Sequence, residues 1–178
     1  VGNNAGTVGG ILRIASSTAL GTGGVTVTAG DPASACQGAQ LQLTGGITLA
    51  NPTITTSGFG FGANNGVILN VSGNNSITGT IQMTSGAGGT IIGSDSGTLT
   101  LSAVTAVTST RTLEFTGAGG ITAAGVISNG STAALPLTKS GSGTLILSAA
   151  NTFTGATSVN GGVVNIRNAN ALGGTGSG

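Results

Sequence analysis

The feature that most restricts the fold is one recurring unit, a strand-length run of aliphatic and Thr residues closed by Gly, Asn or Ser. Gly9-Gly-Ile-Leu-Arg-Ile14, Val25-Thr-Val-Thr28, Leu41-Gln-Leu43, Ile47-Thr-Leu49 and Thr53-Ile-Thr55 open the series. Val67-Ile-Leu-Asn-Val71, Ile77-Thr78, Ile81-Gln-Met83, Thr90-Ile-Ile92, Thr98-Leu-Thr-Leu101, Thr112-Leu-Glu-Phe115, Ile121 and Val126-Ile127 continue it. Short runs of this kind, with turn residues roughly every 8 to 12 positions, read as strands of a sandwich, a barrel or a solenoid. Helix is excluded: Gly, Val, Ile and Thr are poor helix formers, and no stretch keeps an apolar period of about 3.6.

Composition chooses among the β architectures. Aromatic residues make up 2% of the 178 residues, too few for the aromatic payload that a sandwich core of this size carries. Charged residues are only 4%, against about 25% in an ordinary domain. Disorder is excluded as well, because 38% of residues are hydrophobic and the net charge is +1. The expectation is one all-β segment over residues 1–178, a right-handed parallel β-helix (β-solenoid) without significant helix. At about 20 residues per coil it would have roughly eight or nine coils. Inward Leu, Ile and Val would stack on their neighbours above and below, each fully buried side chain contributing roughly 1.5–3 kcal/mol.

One stretch is more specific. Leu137-Thr-Lys-Ser-Gly-Ser-Gly-Thr-Leu-Ile-Leu-Ser-Ala-Ala-Asn-Thr-Phe-Thr-Gly155, followed by Val159-Asn-Gly-Gly-Val-Val164, resembles the passenger-associated repeat of bacterial autotransporters over about residues 137 to 173. The resemblance implies an exported right-handed β-helix, extracellular or at the surface of a Gram-negative bacterium. Leu147 and Ile166 would then lie one coil from each other. Residues Gly9–Gly24 align without gaps to Gly161–Gly176 with seven of 16 positions identical, which suggests one large repeat running from Gly9 to Gly161. The first segment therefore resembles the tail of the same autotransporter repeat. Because the chain opens in mid-pattern at Val1-Gly2-Asn3-Asn4, it reads as a piece of a longer repetitive protein.

Catalytic chemistry is hard to build from these residues. Gly93-Ser-Asp-Ser-Gly97 looks like a serine-protease nucleophile motif, but the chain has no histidine and Ser94 interrupts the pattern. The acids are Asp31, Asp95 and Glu114; the last two, spaced like Leu147 and Ile166, would stack if every coil had that length. Such a pair, without further carboxylates or His, is a poor basis for glycoside cleavage, and Glu114 is expected to pair with Arg111 or to lie on the surface. The lone Cys36 forms no internal disulfide and, without His, no metal site. Gly58-Phe-Gly-Phe-Gly-Ala-Asn-Asn-Gly66 lacks the Lys-Ser/Thr of a phosphate loop. Asn70, Asn74 and Asn129 begin sequon-like triplets that arise readily in such a composition. The chain is thus expected to be no enzyme and to hold no cofactor or metal.

Four basic residues and near-neutral charge argue against nucleic acid or an anionic membrane as partner, and no apolar run reaches the roughly 18 residues of a membrane span. The expected partners are neighbouring repeats or further copies of the chain, joined head to tail because cut solenoid ends expose strand edges. The expected role is a stalk, fibre or surface filament. A glycan- or host-binding adhesin is the alternative, with the Asp31–Gln37 loop and the Phe59/Phe61 loop as contact points. A second alternative is ice binding through Thr26/Thr28, Thr53/Thr55, Thr98/Thr100 and Thr110/Thr112. These pairs recur at intervals too irregular for one ladder.

Overall fold

The structure, a computed structural model, describes residues 9–28, 38–58, 60, 66–84, 89–108, 112–130 and 134–174. The aliphatic runs form strands there, because β-branched side chains fit a pleated, half-buried surface while Gly breaks each run. In chain order they are β1 (Ile11–Ile14), β2 (Val25–Thr28), β3 (Gln40–Leu43), β4 (Thr48–Leu49), β5 (Thr53–Ser57), β6 (Ile68–Asn70), β7 (Asn75–Met83) and β8 (Gly89–Ser94). Then follow β9 (Thr98–Ala106), β10 (Thr112–Thr116), β11 (Gly120–Ala123), β12 (Ile127–Ser128), β13 (Leu137–Lys139), β14 (Thr144–Leu147), β15 (Thr157–Val159) and β16 (Val163–Ile166).

All recorded pairings are parallel and join one coil to the next. A seven-stranded sheet runs β1-β3-β6-β8-β10-β13-β15, and a nine-stranded one contains the rest. This is a β-solenoid. The seven-stranded sheet takes one strand from each coil, so the coils are fewer than the eight or nine expected. The reason is coil length. Down the inward row Leu12, Leu41, Ile68, Ile92, Phe115, Lys139, Val159, the interval between partners is longest from Leu12 to Leu41 and shortest from Lys139 to Val159. Only that last coil has the length assumed from sequence, and there Leu147 and Ile166 are indeed register partners.

The nine-stranded sheet consists of two panels. Between Ile77 and Thr80 the register of β7 with β9 shifts by one residue, a bulge in β7; the buried Asn75, Ile77, Ile81 and Met83 of β7 keep one phase, while in β9 it changes between Leu101 and Val104. The second panel holds β4, the first halves of β7 and β9, β11, β14 and β16. The third holds β2, β5, the second halves of β7 and β9, and β12. With the seven-stranded sheet as first panel, each coil has three. The core is their common interior, filled by rows such as Leu49, Ile77, Leu101, Ala123, Leu147 and Ile54, Ile81, Val104, Ile127, all buried.

The path from first to third panel barely changes. Leu12 to Val27, Leu41 to Thr56 and Ile68 to Met83 are equal steps in sequence, and Ile92 to Ala106 is shorter by a single position. The variation sits in the return. Val27 to Leu41 is the longest return and Thr56 to Ile68 the next, while Met83 to Ile92 and Ala106 to Phe115 are equal and shorter than both. Insertions are tolerated at that one edge because the other path is fixed by row-on-row packing.

The corner between first and second panel is made of glycine. Gly97 has φ +75°, and a Cβ there would lie 2.3 Å from the Gly73 carbonyl oxygen of the previous coil. At Gly143 the φ is ordinary, but a Cβ would lie 2.0 Å from the Gly119 oxygen. Backbone meets backbone with no room for a side chain. Gly143→Ala is therefore expected to destabilise the chain by roughly 2–4 kcal/mol, read from denaturant midpoints. Gly23→Ala, with nothing within 4 Å of its Cβ, should stay within about 0.5 kcal/mol of the parent; equal effects would disprove the packed-corner account.

Candidate interaction surfaces

Asp31, Gln37, Phe59 and Phe61, expected as contact residues, lie outside the described residues, as do Cys36 and Arg111. The fold does place their attachment points. Residues 29–37 follow β2 and 59–65 follow β5, the two longest returns, on consecutive coils of one edge. Sequence reading named the two loops separately; the register makes their attachment points neighbours.

The acids do not come together. The coil at this point runs from Ile91 to Glu114, so the partner of Glu114 in the preceding coil is Ile91, not Asp95. Glu114 accepts a hydrogen bond from the Ser140 hydroxyl, and Asp95 is exposed in a turn. Ser94, the supposed nucleophile neighbour, is buried, its hydroxyl 3.0 Å from Asn70 Nδ2. Among the described residues no three His, Cys, Asp or Glu side chains group as metal ligands, and no helix is long and apolar enough to cross a membrane.

The Thr-x-Thr pairs that fall within the described residues do not all stack on one another, since Thr26/Thr28 lie in the third panel and Thr98/Thr100 in the second. Yet the irregular coil lengths produce ordered polar rows that the spacing concealed. Thr26, Thr55, Gln82, Thr105 and Ser128 are successive register partners on the outer surface of the third panel. Thr48, Ser76, Thr100 and Thr122 form a second row beside them. The Thr105 and Ser128 hydroxyls are 3.0 Å apart. Neither row contains a charged side chain.

The glycine corner turns carbonyl oxygens inward, and those groups need donors in an apolar interior. Asn70 Nδ2 donates to the oxygens of Ser96 at 2.9 Å and Gly73 at 3.2 Å. Asn75 donates to the Ser72 oxygen at 2.8 Å and to the Asn70 amide oxygen, and accepts from the Ile47 backbone at 2.7 Å. Further along, Lys139 takes this role. Its ammonium group donates to the carbonyl of Ser140, to that of Gly141 at 3.1 Å, and across to Gly161 of the next coil at 3.4 Å. The side chain is almost wholly buried, below Phe115 in an otherwise apolar row. Sequence reading passed over this lysine, although its place between alternating aliphatic residues was the available signal.

The ends differ from everything between them. Of the large hydrophobic side chains exposed among the described residues, only Val126 lies away from the terminal coils. At one end, Leu12 is 47% exposed and opens on an apolar hollow lined by Val25, Val27, Ala39 and Leu41. At the other, Val159 is 56% and Ile166 49% exposed, with Val163 and Leu172 alongside. β1 and β2 are the edge strands at the first end, β15 and β16 at the second.

Burial of Lys139 disfavours its charged form and lowers its pKa from the usual 10.5. The folded protein then holds this proton less tightly than the unfolded chain, so stability rises with pH between the lowered folded value and 10.5. The denaturation midpoint of the parent should gain on that of Lys139→Met as pH rises from neutrality toward 10.5. Parallel pH profiles would show that the lysine is not held as described.

No curated protein and no solved structure shows significant similarity to this chain. A family model does match, that of the passenger-associated-transport-repeat, over residues 137–166. The match spans β13 to β16, including Lys139, the glycine corner and the short last coil. Residues 137–166 thus carry the repeat found in autotransporter passengers, on a β-solenoid that fits a passenger segment.

Proposed function

We propose that the chain is a structural and adhesive segment of an exported bacterial protein, a non-enzymatic stalk or surface fibre displayed outside a Gram-negative cell. The observation that carries this reading is the position of the passenger-associated-transport-repeat. It occupies the last coils of a continuous parallel stack, in register with the coils before it. A stack of this kind transmits load along its axis through backbone hydrogen bonds and apolar rows, and it needs no ligand to do so. Adhesion would fall to the return edge, where residues 31–37 and 59–65 follow strands on consecutive coils. On intact producing cells, antibody to the segment should label the surface, and added protease should remove the label. Cells whose protein lacks residues 31–37 should keep the label and lose attachment to glycan or host surfaces. Labelling only after permeabilisation would overturn the reading.

The uncharged row Thr26, Thr55, Gln82, Thr105, Ser128 favours a second reading, ice binding, because hydrogen-bonding groups one strand spacing apart, about 4.8 Å, can order water on a flat surface. On that reading a millimolar solution shows thermal hysteresis, which Thr55→Lys abolishes. Equal freezing and melting points for the parent protein would remove it.

A further inference from the structure

Three asparagines are followed directly by glycine: Asn65, Asn129 and Asn160. Asn65 lies outside the described residues and Asn160 in the last coil, whereas Asn129 stands inside the stack, in contact with the coils on both sides. An Asn-Gly step is reactive because glycine has no side chain to shield its nitrogen from the asparagine amide carbon.

The fold demands both residues at this point. Gly130, just after β12, has φ +60°, and a Cβ there would lie 2.2 Å from the Ala106 carbonyl oxygen of the preceding coil. No larger residue fits without moving backbone. Asn129 reaches the other way, to the following coil. Its Oδ1 accepts from the Thr154 backbone N–H at 3.0 Å, and its Nδ2 donates to the Thr154 hydroxyl at 2.7 Å. Beside this staple, Thr152 N–H bonds the Ile127 oxygen at 3.0 Å, so the two backbones are joined as well. Thr154 is exposed, and the staple therefore borders on water.

From this we infer that Asn129 is a self-modification site held in check by Thr154. The chemistry needs only water. When the amide swings away from Thr154, the Gly130 nitrogen attacks Asn129 Cγ, so that an N–Cγ bond forms and the Cγ–Nδ2 bond breaks. Nδ2 leaves as ammonia, taking the proton from the Gly130 nitrogen. Water then opens the succinimide ring at either carbonyl, which leaves aspartate or isoaspartate in place of Asn129.

Thr154 is a positioning residue for this reaction. Its N–H polarises the amide through Oδ1, which taken alone would favour attack. Its hydroxyl opposes attack, because two bonds from one residue fix the amide plane against the next coil and away from its own backbone. The buried asparagines are protected differently. Asn51, Asn70, Asn75 and Asn151 precede Pro, Val, Ser and Thr, whose side chains crowd the attacking nitrogen, and proline has no N–H to give up.

The product alters the molecule at a defined place. A carboxylate replaces the amide, which removes the donor to the Thr154 hydroxyl and lowers the net charge from +1. Isoaspartate also adds a methylene to the backbone immediately before the return edge. Length is free to vary there, so the inward rows keep their register while the staple is lost. The inference is independent of the reading of the chain as a passenger segment.

The test is incubation of the whole chain, followed by peptide mapping for aspartate and isoaspartate at Asn129. Conversion in the folded protein should be roughly tenfold or more slower than in the same chain unfolded in guanidinium, because the staple must open first. Thr154→Val keeps the N–H and loses the hydroxyl, and should speed the folded-state reaction roughly fivefold, the factor of one ordinary hydrogen bond. Thr154→Ser should match the parent. β-sheet circular dichroism checks that both variants fold, and the comparison of folded with unfolded parent needs no variant. Conversion in the folded parent as rapid as in guanidinium overturns the inference, and so does a folded Thr154→Val protein that reacts at the parental rate.

Discussion

The structure depends on one constraint, the stacking of each coil on the next in strict parallel register. Every inward side chain must meet one of compatible size directly above and below, because the rungs are about 4.8 Å apart and the interior is close-packed. The near-constant path between first and third panel follows from this. A residue added to that path would turn inward rows outward for the rest of the coil. The bulge in β7 is the permitted exception, since its extra residue lies at the panel junction, between the inward Ile77 and Ile81, and leaves both halves of the strand paired with β9. Length is free to vary only at the return edge, where no row crosses.

The same constraint explains the composition. Glycine lines the corner because successive backbones there approach too closely for a Cβ. Turns drawn that tight point carbonyl oxygens inward, and buried oxygens require donors. Asn70, Asn75 and Lys139 supply them from within otherwise apolar rows. Lys139 also spans two coils, so the cost of burying its charge is offset by contacts that join the repeat to its neighbour.

A stack held together this way is satisfied from coil to coil. Each coil's strand edges are satisfied by the next coil. The candidate interaction surfaces lie along the return edge and the outer polar rows. The polar outer rows serve the interior as well, because they let the sheet face water with almost no charge.

The sequence by itself determined the architecture. Short aliphatic runs, abundant glycine and scarce aromatics exclude helix and sandwich, and the stretch from Leu137 onward pointed to the repeat that residues 137–166 carry. These are local properties, written in neighbouring residues. Coil length was not local. It depends on how far the chain runs in each return, and one uniform short coil overcounted the coils and left room for Asp95 to stack on Glu114, whose partner is Ile91. The hydroxyl rows were hidden for the same reason, since Thr26 and Thr55 become neighbours only through a coil longer than the one assumed. The sequence echo between Gly9 and Gly161 was visible as letters, but its offset by one panel was not. Only the tertiary structure decides which residues lie one rung apart, because register is a sum over every turn in between.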